Sequence, residues 1–392
     1  MSPRATTAGP GVASRLAAVA VLALSMVLLS TGVASAEGVD EGTAQLFQFH
    51  RGQDVAFMLM LVAFLMMFIR RYEWGVALAT LLVLVTAWPL YFLLHTELLG
   101  NPMDIEAVIL SLFAAITLVI AIGVFLGHIS TPLYVLVGVL FVPGYMLNEW
   151  FLFTVLDGVL DAGGSILVHM FAAYWGWGVI LALRNRKVND EPMQTSVHSV
   201  SFVWLASMLL FVLWPSFVTA LLPPEQIIPA MINTYLALMA STLVTYVLLM
   251  VLKRTIDPLV FTYAILAGGV AIGATVDLAG PWQAWCIGLI GGAASTLSFV
   301  YLNDRLGAAT GVLDSMGVHN LHGIPGIVGG LAPILIVGAG LHQVLAVGGT
   351  LVIALATGAV TGFVLRLFKR PAVMLDDAES FPVDGMRATD PA

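Results

Sequence analysis

Two stretches of this sequence repeat one spacing. Asp161 opens "DAGGSILVH", which closes on His169, and Asp314 opens "DSMGVHNLH", which closes on His322; each histidine stands eight residues after its aspartate. Both histidines lie in strongly apolar surroundings, where an ionisable side chain is costly and usually marks a pathway; a satisfied core histidine is the alternative reading, against which the repeated interval weighs. A charged imidazolium is disfavoured in a low dielectric, so a buried pair is expected to be neutral, each ring offering one donor and one acceptor nitrogen. If Nδ1 of one ring bonds Nδ1 of the other, their remaining edges can line a narrow tube. Such a tube suits a small neutral hydrogen-bonding molecule; a bare cation would lose its hydration without replacement. His319 has no counterpart, because Ile166 stands three residues before His169, and a packing role is its simpler reading. A two-histidine metal or haem site would need further ligands that the sequence does not supply, so no metal and no cofactor is expected.

The elements that must hold these residues follow from composition. Of 392 residues, 60% are hydrophobic and only 10% charged, with a mean hydropathy of +0.99; a soluble domain carries about 25% charged residues. Apolar runs near 54–69, 74–95, 103–127, 132–154, 163–183, 197–221, 227–252, 258–277, 281–302, 312–337 and 345–368 are each of a length to cross a bilayer as a helix. The expected fold is therefore an all-α polytopic membrane protein of eleven transmembrane helices. The alternation of a membrane barrel is absent. No basic patch suggests nucleic acid, and the net charge of -8 says little about partners because the charges are sparse. The lone Cys286 excludes a disulfide framework or a multi-cysteine metal site within one chain.

The chain divides further. Residues 1–36 hold Arg4 and Arg15, an apolar stretch and Ala34-Ser35-Ala36, the layout of a cleaved secretory signal; an uncleaved extra helix is the rival reading. Residues 37–370 form the membrane domain, and 371–392 a short acidic tail. With the mature N-terminus outside, twelve Lys and Arg fall on the cytoplasmic side and only Arg51 outside, which obeys the positive-inside rule. That places the chain in the cell inner (plasma) membrane with its C-terminus cytoplasmic.

Eleven helices suggest five, five and one: repeat one near 54–183, repeat two near 197–337 and a last helix near 345–368. With an odd number per half the second half enters from the opposite face, the inverted-repeat plan whose sites lie near the midplane. Eight residues of helix rise about 12 Å, so Asp161 and Asp314, entering from opposite faces, would each deliver a histidine to mid-membrane. The aspartates themselves suit helix starts. Pro325 is expected to bend helix ten just past His322, and "GGVAIGA" at 268–274, "GGAAS" at 291–295 and "GIPGIVGG" at 323–330 suit close helix packing. Phe217, in "LWPSF", either closes an outer vestibule or belongs to an interfacial aromatic belt.

At these residues the sequence resembles the bacterial Rh (Rhesus) branch of the ammonium transporter family. The similar segments are "QDVAFMLMLVAFLMMFIRRY", Asn148-Glu149, "DAGGSILVHMFAAYWG", "LWPSF", "INTY" at 232–235, "LAGGVAIGATVD" at 266–277, "STLSFVYL" at 295–302 and "DSMGVHNLHGIPGIVGG". They span helices one to ten. The resemblance implies a homotrimer with one pore per protomer, no enzymatic activity, and transport of ammonia recruited as ammonium. It further implies that His169 and His322 are the paired pore histidines. Asp161 is then the aspartate near the outer recruitment region, Asp314 its inner counterpart, and Phe217 one of two gate phenylalanines. By the pattern of "MDIEA" at 103–107, Ile105 takes the place of the other gate phenylalanine, which would weaken outer-site binding of a cation. Methylammonium and carbon dioxide are further substrates in the family. A carbon dioxide channel of the same fold, or an ammonium-binding membrane sensor or scaffold, are the alternatives, and no cytoplasmic regulator is named by the sequence.

Overall fold

A computed structural model describes residues 41–67, 72–184, 195–368 and 377. The expected signal segment, 1–36, lies outside the described residues, as does the tail apart from Asp377. The described chain is helical throughout its ordered elements. Eleven membrane segments run in chain order: α1 (Glu41–Leu65), α2 (Glu73–Leu98), α3 (Ile105–Ile122), α4 (Leu133–Val155), α5 (Ser165–Leu183), α6 (Val197–Val218), α7 (Pro224–Leu252), α8 (Pro258–Thr275), α9 (Pro281–Thr310), α10 (His319–Gly323 continuing as Ile324–Ile336) and α11 (Leu341–Leu365). Among the described residues nine of these are long and apolar enough to cross a membrane on those grounds alone. The other two are α1, whose first half carries Gln48, Arg51, Gln53 and Asp54, and α10, which opens on His319, Asn320 and His322. Their polar residues are what set them apart. Helix α1 also begins at Glu41 rather than near 54, because the polar first half is helical although it is not oily.

The starts follow from local chemistry. Asp104 caps α3 by accepting the N–H of Ala107 at 3.0 Å, and Asp257 caps α8 by accepting from Leu259 and Val260, each satisfying N–H groups that a first helical turn leaves free. Proline at the first turn of α7, α8 and α9 has no N–H to lose there.

Packing then fixes α5, the helix that carries His169. It is the most enclosed of the membrane segments, with Trp175, Val179 and Ile180 fully buried. Helix α11 runs tightly along it: a Cβ on Gly358 would run into the carbonyl oxygen of Trp175, and one on Gly178 into that of Leu355. At its other end α5 is tied to α8, since the Ser165 hydroxyl donates to the Val270 carbonyl at 2.7 Å and accepts the Ala274 N–H at 2.9 Å. The Gly163 N–H bonds the Gly273 carbonyl at 2.9 Å. A helix clamped at both ends can hold a ring in place.

Candidate functional site

The two aspartates organise matching turns. Asp161 accepts the N–H groups of Ile166 (3.0 Å) and Leu167 (2.8 Å), and Asp314 those of Val318 (3.0 Å) and His319 (2.8 Å). Three residues after each aspartate the chain passes through the left-handed region, at Gly164 (φ 74°) and Gly317 (φ 65°), where a Cβ would be strained. Each turn leads into a π-helical segment, Ser165–Met170 and His319–Gly323. These wider turns replace the plain α-helix assumed for the spacing from aspartate to histidine, and such turns recur where side chains must be re-aimed at a site.

Their products meet. His169 Nδ1 and His322 Nδ1 lie 3.1 Å apart, one donating and one accepting, with ring planes 16° from parallel and centroids 5.2 Å apart. Both rings are buried. Trp214 stacks on His169 at 5.5 Å and Phe217 leans on it at 5.6 Å. Beside the pair is a chamber of about 20 Å³, bounded by these four side chains and by apolar residues including Met58, Ile116 and Leu266. A cavity needs about 10–15 Å³ to hold one water-sized molecule, so the chamber takes one small molecule and no hydration shell. The His169 Nε2 atom is enclosed without a partner.

Toward the Asp161 end the chamber is closed by two rings, Phe217 and Phe113, with centroids 5.0 Å apart and planes at 56°. The resemblance placed the second ring position at Ile105, whereas the ring that meets Phe217 is that of Phe113. Ile105 is the first residue of α3, half-buried and eight residues, about 12 Å of helix, from the ring that meets Phe217. The resemblance over "MDIEA" pointed one region too early; nothing in the sequence distinguishes Phe113 from the other apolar residues of α3.

Beyond the two rings opens a cavity of about 480 Å³ that is rich in carboxylates: Glu106, Glu149, Asp161 and Asp277, together with His95. The Tyr91 hydroxyl donates to both Glu149 oxygens at 2.9 and 2.8 Å, and His95 stacks on the Tyr91 ring at 5.5 Å. Asp277, just past the end of α8, keeps Oδ1 enclosed without a partner, and burial raises its carboxyl above the ordinary carboxylate range. Glu149 and Asp277 stood in sequence as ionisable residues at the ends of apolar runs, which is a readable signal for a site. Asp314, at the other end of the bundle, also receives the Trp177 Nε1–H at 3.4 Å. Among the described residues there is no group of three or more His, Cys, Asp or Glu side chains suited to a metal ion.

The description of the Ammonium Transporter Family matches residues 16–369. The chain is 32% identical over 362 residues to the ammonium transporter Rh type A of Mus musculus, covering 86% of this chain and 82% of that protein. It is 34% identical over 309 residues to the ammonium transporter Rh type B of Sus scrofa, covering 76% and 67%. Among solved structures it is similar to Nitrosomonas europaea Rh50, of the Rhesus protein family of channels, with a TM-score of 0.85 and 37% identity over 87% of this chain and 93% of that one. A sensor Amt protein shares the fold at a TM-score of 0.72 and 17% identity, covering 83% and 92%.

Proposed function

The chain belongs to the ammonium transporter family, and we propose that it is a channel that gathers ammonium in the carboxylate-lined cavity and passes ammonia between His169 and His322. The observation that carries this reading is the 3.1 Å bond between the two Nδ1 atoms beside a chamber of about 20 Å³. That bond fixes both rings and leaves their other edges for a passing molecule. An ammonium ion entering the chamber would shed its water with only an edge or two of imidazole in return, whereas neutral ammonia needs one or two hydrogen bonds. The cation therefore gives up its proton to bulk water on the side of entry, where the proton stays, and the base crosses. Phe113 and Phe217 keep bulk water from following.

The Lys and Arg distribution supports placing the Asp161 end outside and the Asp314 end in the cytoplasm, in the cell inner membrane. The repeated sequence of capping aspartate, left-handed glycine, π turn and histidine supports two halves of five helices in inverted orientation with α11 added. On this reading residues 1–36 are a removable signal and 371–392 a cytoplasmic tail. Exposed Phe57, Phe64, Phe202 and Trp204 on α1 and α6 offer an apolar flank for the homotrimer, each protomer keeping its own pore. Methylammonium is the natural substrate analogue.

Vesicle flux tests the reading. Purified chain in proteoliposomes speeds the internal pH change that follows an ammonium step, with no sustained current of one charge per molecule. Vesicles with folded protein that respond no faster than empty ones would overturn it.

A further inference from the structure

One turn from His322, on the cytoplasmic side of it, His319 has no part in the pathway just described, yet its surroundings are unlike those of a packing residue. It is 8% exposed, and both of its ring nitrogens are enclosed without a hydrogen-bond partner. Tyr174 meets the ring nearly perpendicularly at 5.6 Å, and Trp177 at 5.8 Å and 66°. A donor and an acceptor buried together in an aromatic corner are destabilising unless something small satisfies them; phenylalanine would fill the same corner without that penalty. Gly323 faces the ring, and a Cβ there would come to 3.2 Å from His319 Nδ1 and 3.4 Å from Tyr174 Cζ, so its bare backbone keeps that flank clear. The Asp314 carboxylate is bound to the same turn through the His319 N–H at 2.8 Å and to the same aromatic corner through Trp177 Nε1.

A neutral imidazole, two aromatic rings and a carboxylate together suit a small amine in either charge state. The imidazole lone pair accepts an N–H from ammonia or ammonium. Its own N–H can donate to the ammonia lone pair. The ring faces favour the cation. We propose that His319, Tyr174 and Trp177, backed by Asp314, form an inner binding station for the transported amine, occupied after the His169–His322 pair on the way in and before it on the way out. The proposal rests on the channel reading above for its route, though not for its ligand.

Two measurements on the full chain decide it. In a high-resolution structure determined in methylammonium, a non-protein feature with a methyl group is expected within hydrogen-bond distance of a His319 ring nitrogen, and is lost in His319→Phe. The same featureless water peak with and without methylammonium, or an empty corner, overturns the station. In oriented proteoliposomes, His319→Phe is expected to raise the half-saturating methylammonium concentration from the cytoplasmic face about two- to thirteenfold, the loss of one net hydrogen bond. The value from the outer face stays unchanged, and His319→Gln, which still hydrogen-bonds, restores most of the affinity. A purely structural histidine would shift both faces together or neither, and either result overturns the proposal. Absence of flux in wild-type vesicles would strike the channel reading instead, and the methylammonium structure would still decide the station.

Discussion

Removing one imidazole of the central pair should separate passage of the neutral base from exclusion of the ion. His322→Ala deletes the partner 3.1 Å from His169 Nδ1, so that both nitrogens of the buried His169 ring are then unpaired, since Nε2 already has no partner. Two consequences follow with different signs. Ammonia loses one of the polar edges available in the constriction; a net hydrogen bond is worth about 0.5–1.5 kcal/mol, and at about 1.36 kcal/mol per decade of rate its conductance falls about two- to thirteenfold. The vacated ring volume adds to a chamber of about 20 Å³, which makes room for several waters around the exposed His169 nitrogens. A hydrated cation then has a route, and current accompanies flux. The assay is stopped-flow vesicle pH change paired with current recording on the same preparation, repeated for His169→Ala. Ammonia flux within twofold of wild type and no current in both variants would refute the argument that the paired imidazoles set both rate and selectivity.

Three further outcomes follow from the packing. Phe113→Ala opens the seal at Phe217, whose ring lies 5.0 Å away, and should raise the osmotic water permeability of the vesicles while the paired imidazoles still exclude ions, whereas Ile105→Ala leaves flux and water permeability unchanged. Gly358→Val drives a side chain into the Trp175 carbonyl, and at about 1–3 kcal/mol for overpacking should lower the unfolding temperature in detergent through displacement of α5. Ser165→Ala removes a hydroxyl bonded to both Val270 and Ala274; a destabilisation of about 1–3 kcal/mol is expected from the buried groups left unpaired, read by denaturation in mixed micelles.

How much of this was legible beforehand depended on whether the signal was local. The eleven segments were readable because about 20 apolar residues can do little else than cross a membrane, and α10 was readable despite its polar start because Ile324–Ile336 continues it. The pairing of His169 with His322 was readable because two halves repeat one spacing. The π turns were not, since no residue type marks a switch from i−4 to i−5 bonding. Phe113 was hidden for a related reason: which face of a helix apolar on nearly every side turns toward the pore is decided by the packing of α3 against its neighbours, and α3 buries nearly all of its residues from Ala107 to Ile122. His319 shows the limit of symmetry: it has no counterpart before His169, and its neighbours Tyr174 and Trp177 stand five and eight residues beyond His169 on another helix, a relation that only the fold reveals.

The role of Asp161 separates two accounts of the carboxylate-lined cavity. As a recruiting carboxylate it should present oxygens to the cation; as a cap it should spend them on the backbone. It is 7% exposed, with Oδ1 bonded to the Ile166 N–H and Oδ2 to those of Ile166 and Leu167, so little lone-pair capacity is left facing the cavity. Glu149 and Asp277 differ: among the described residues the first is held by the Tyr91 hydroxyl alone, and the second keeps an unpaired oxygen. Asp161→Asn retains one acceptor oxygen and loses the charge from bonds that are worth about 1.5–3 kcal/mol each when charge-assisted. The expected outcome is a drop in unfolding temperature with the outer half-saturating ammonium concentration little changed. Glu149→Gln and Asp277→Asn should do the reverse, weakening outer-face affinity in folded protein. If Asp161→Asn instead left the unfolding temperature intact and raised the outer half-saturation severalfold, the cap would be incidental and the aspartate itself would be what the cation meets.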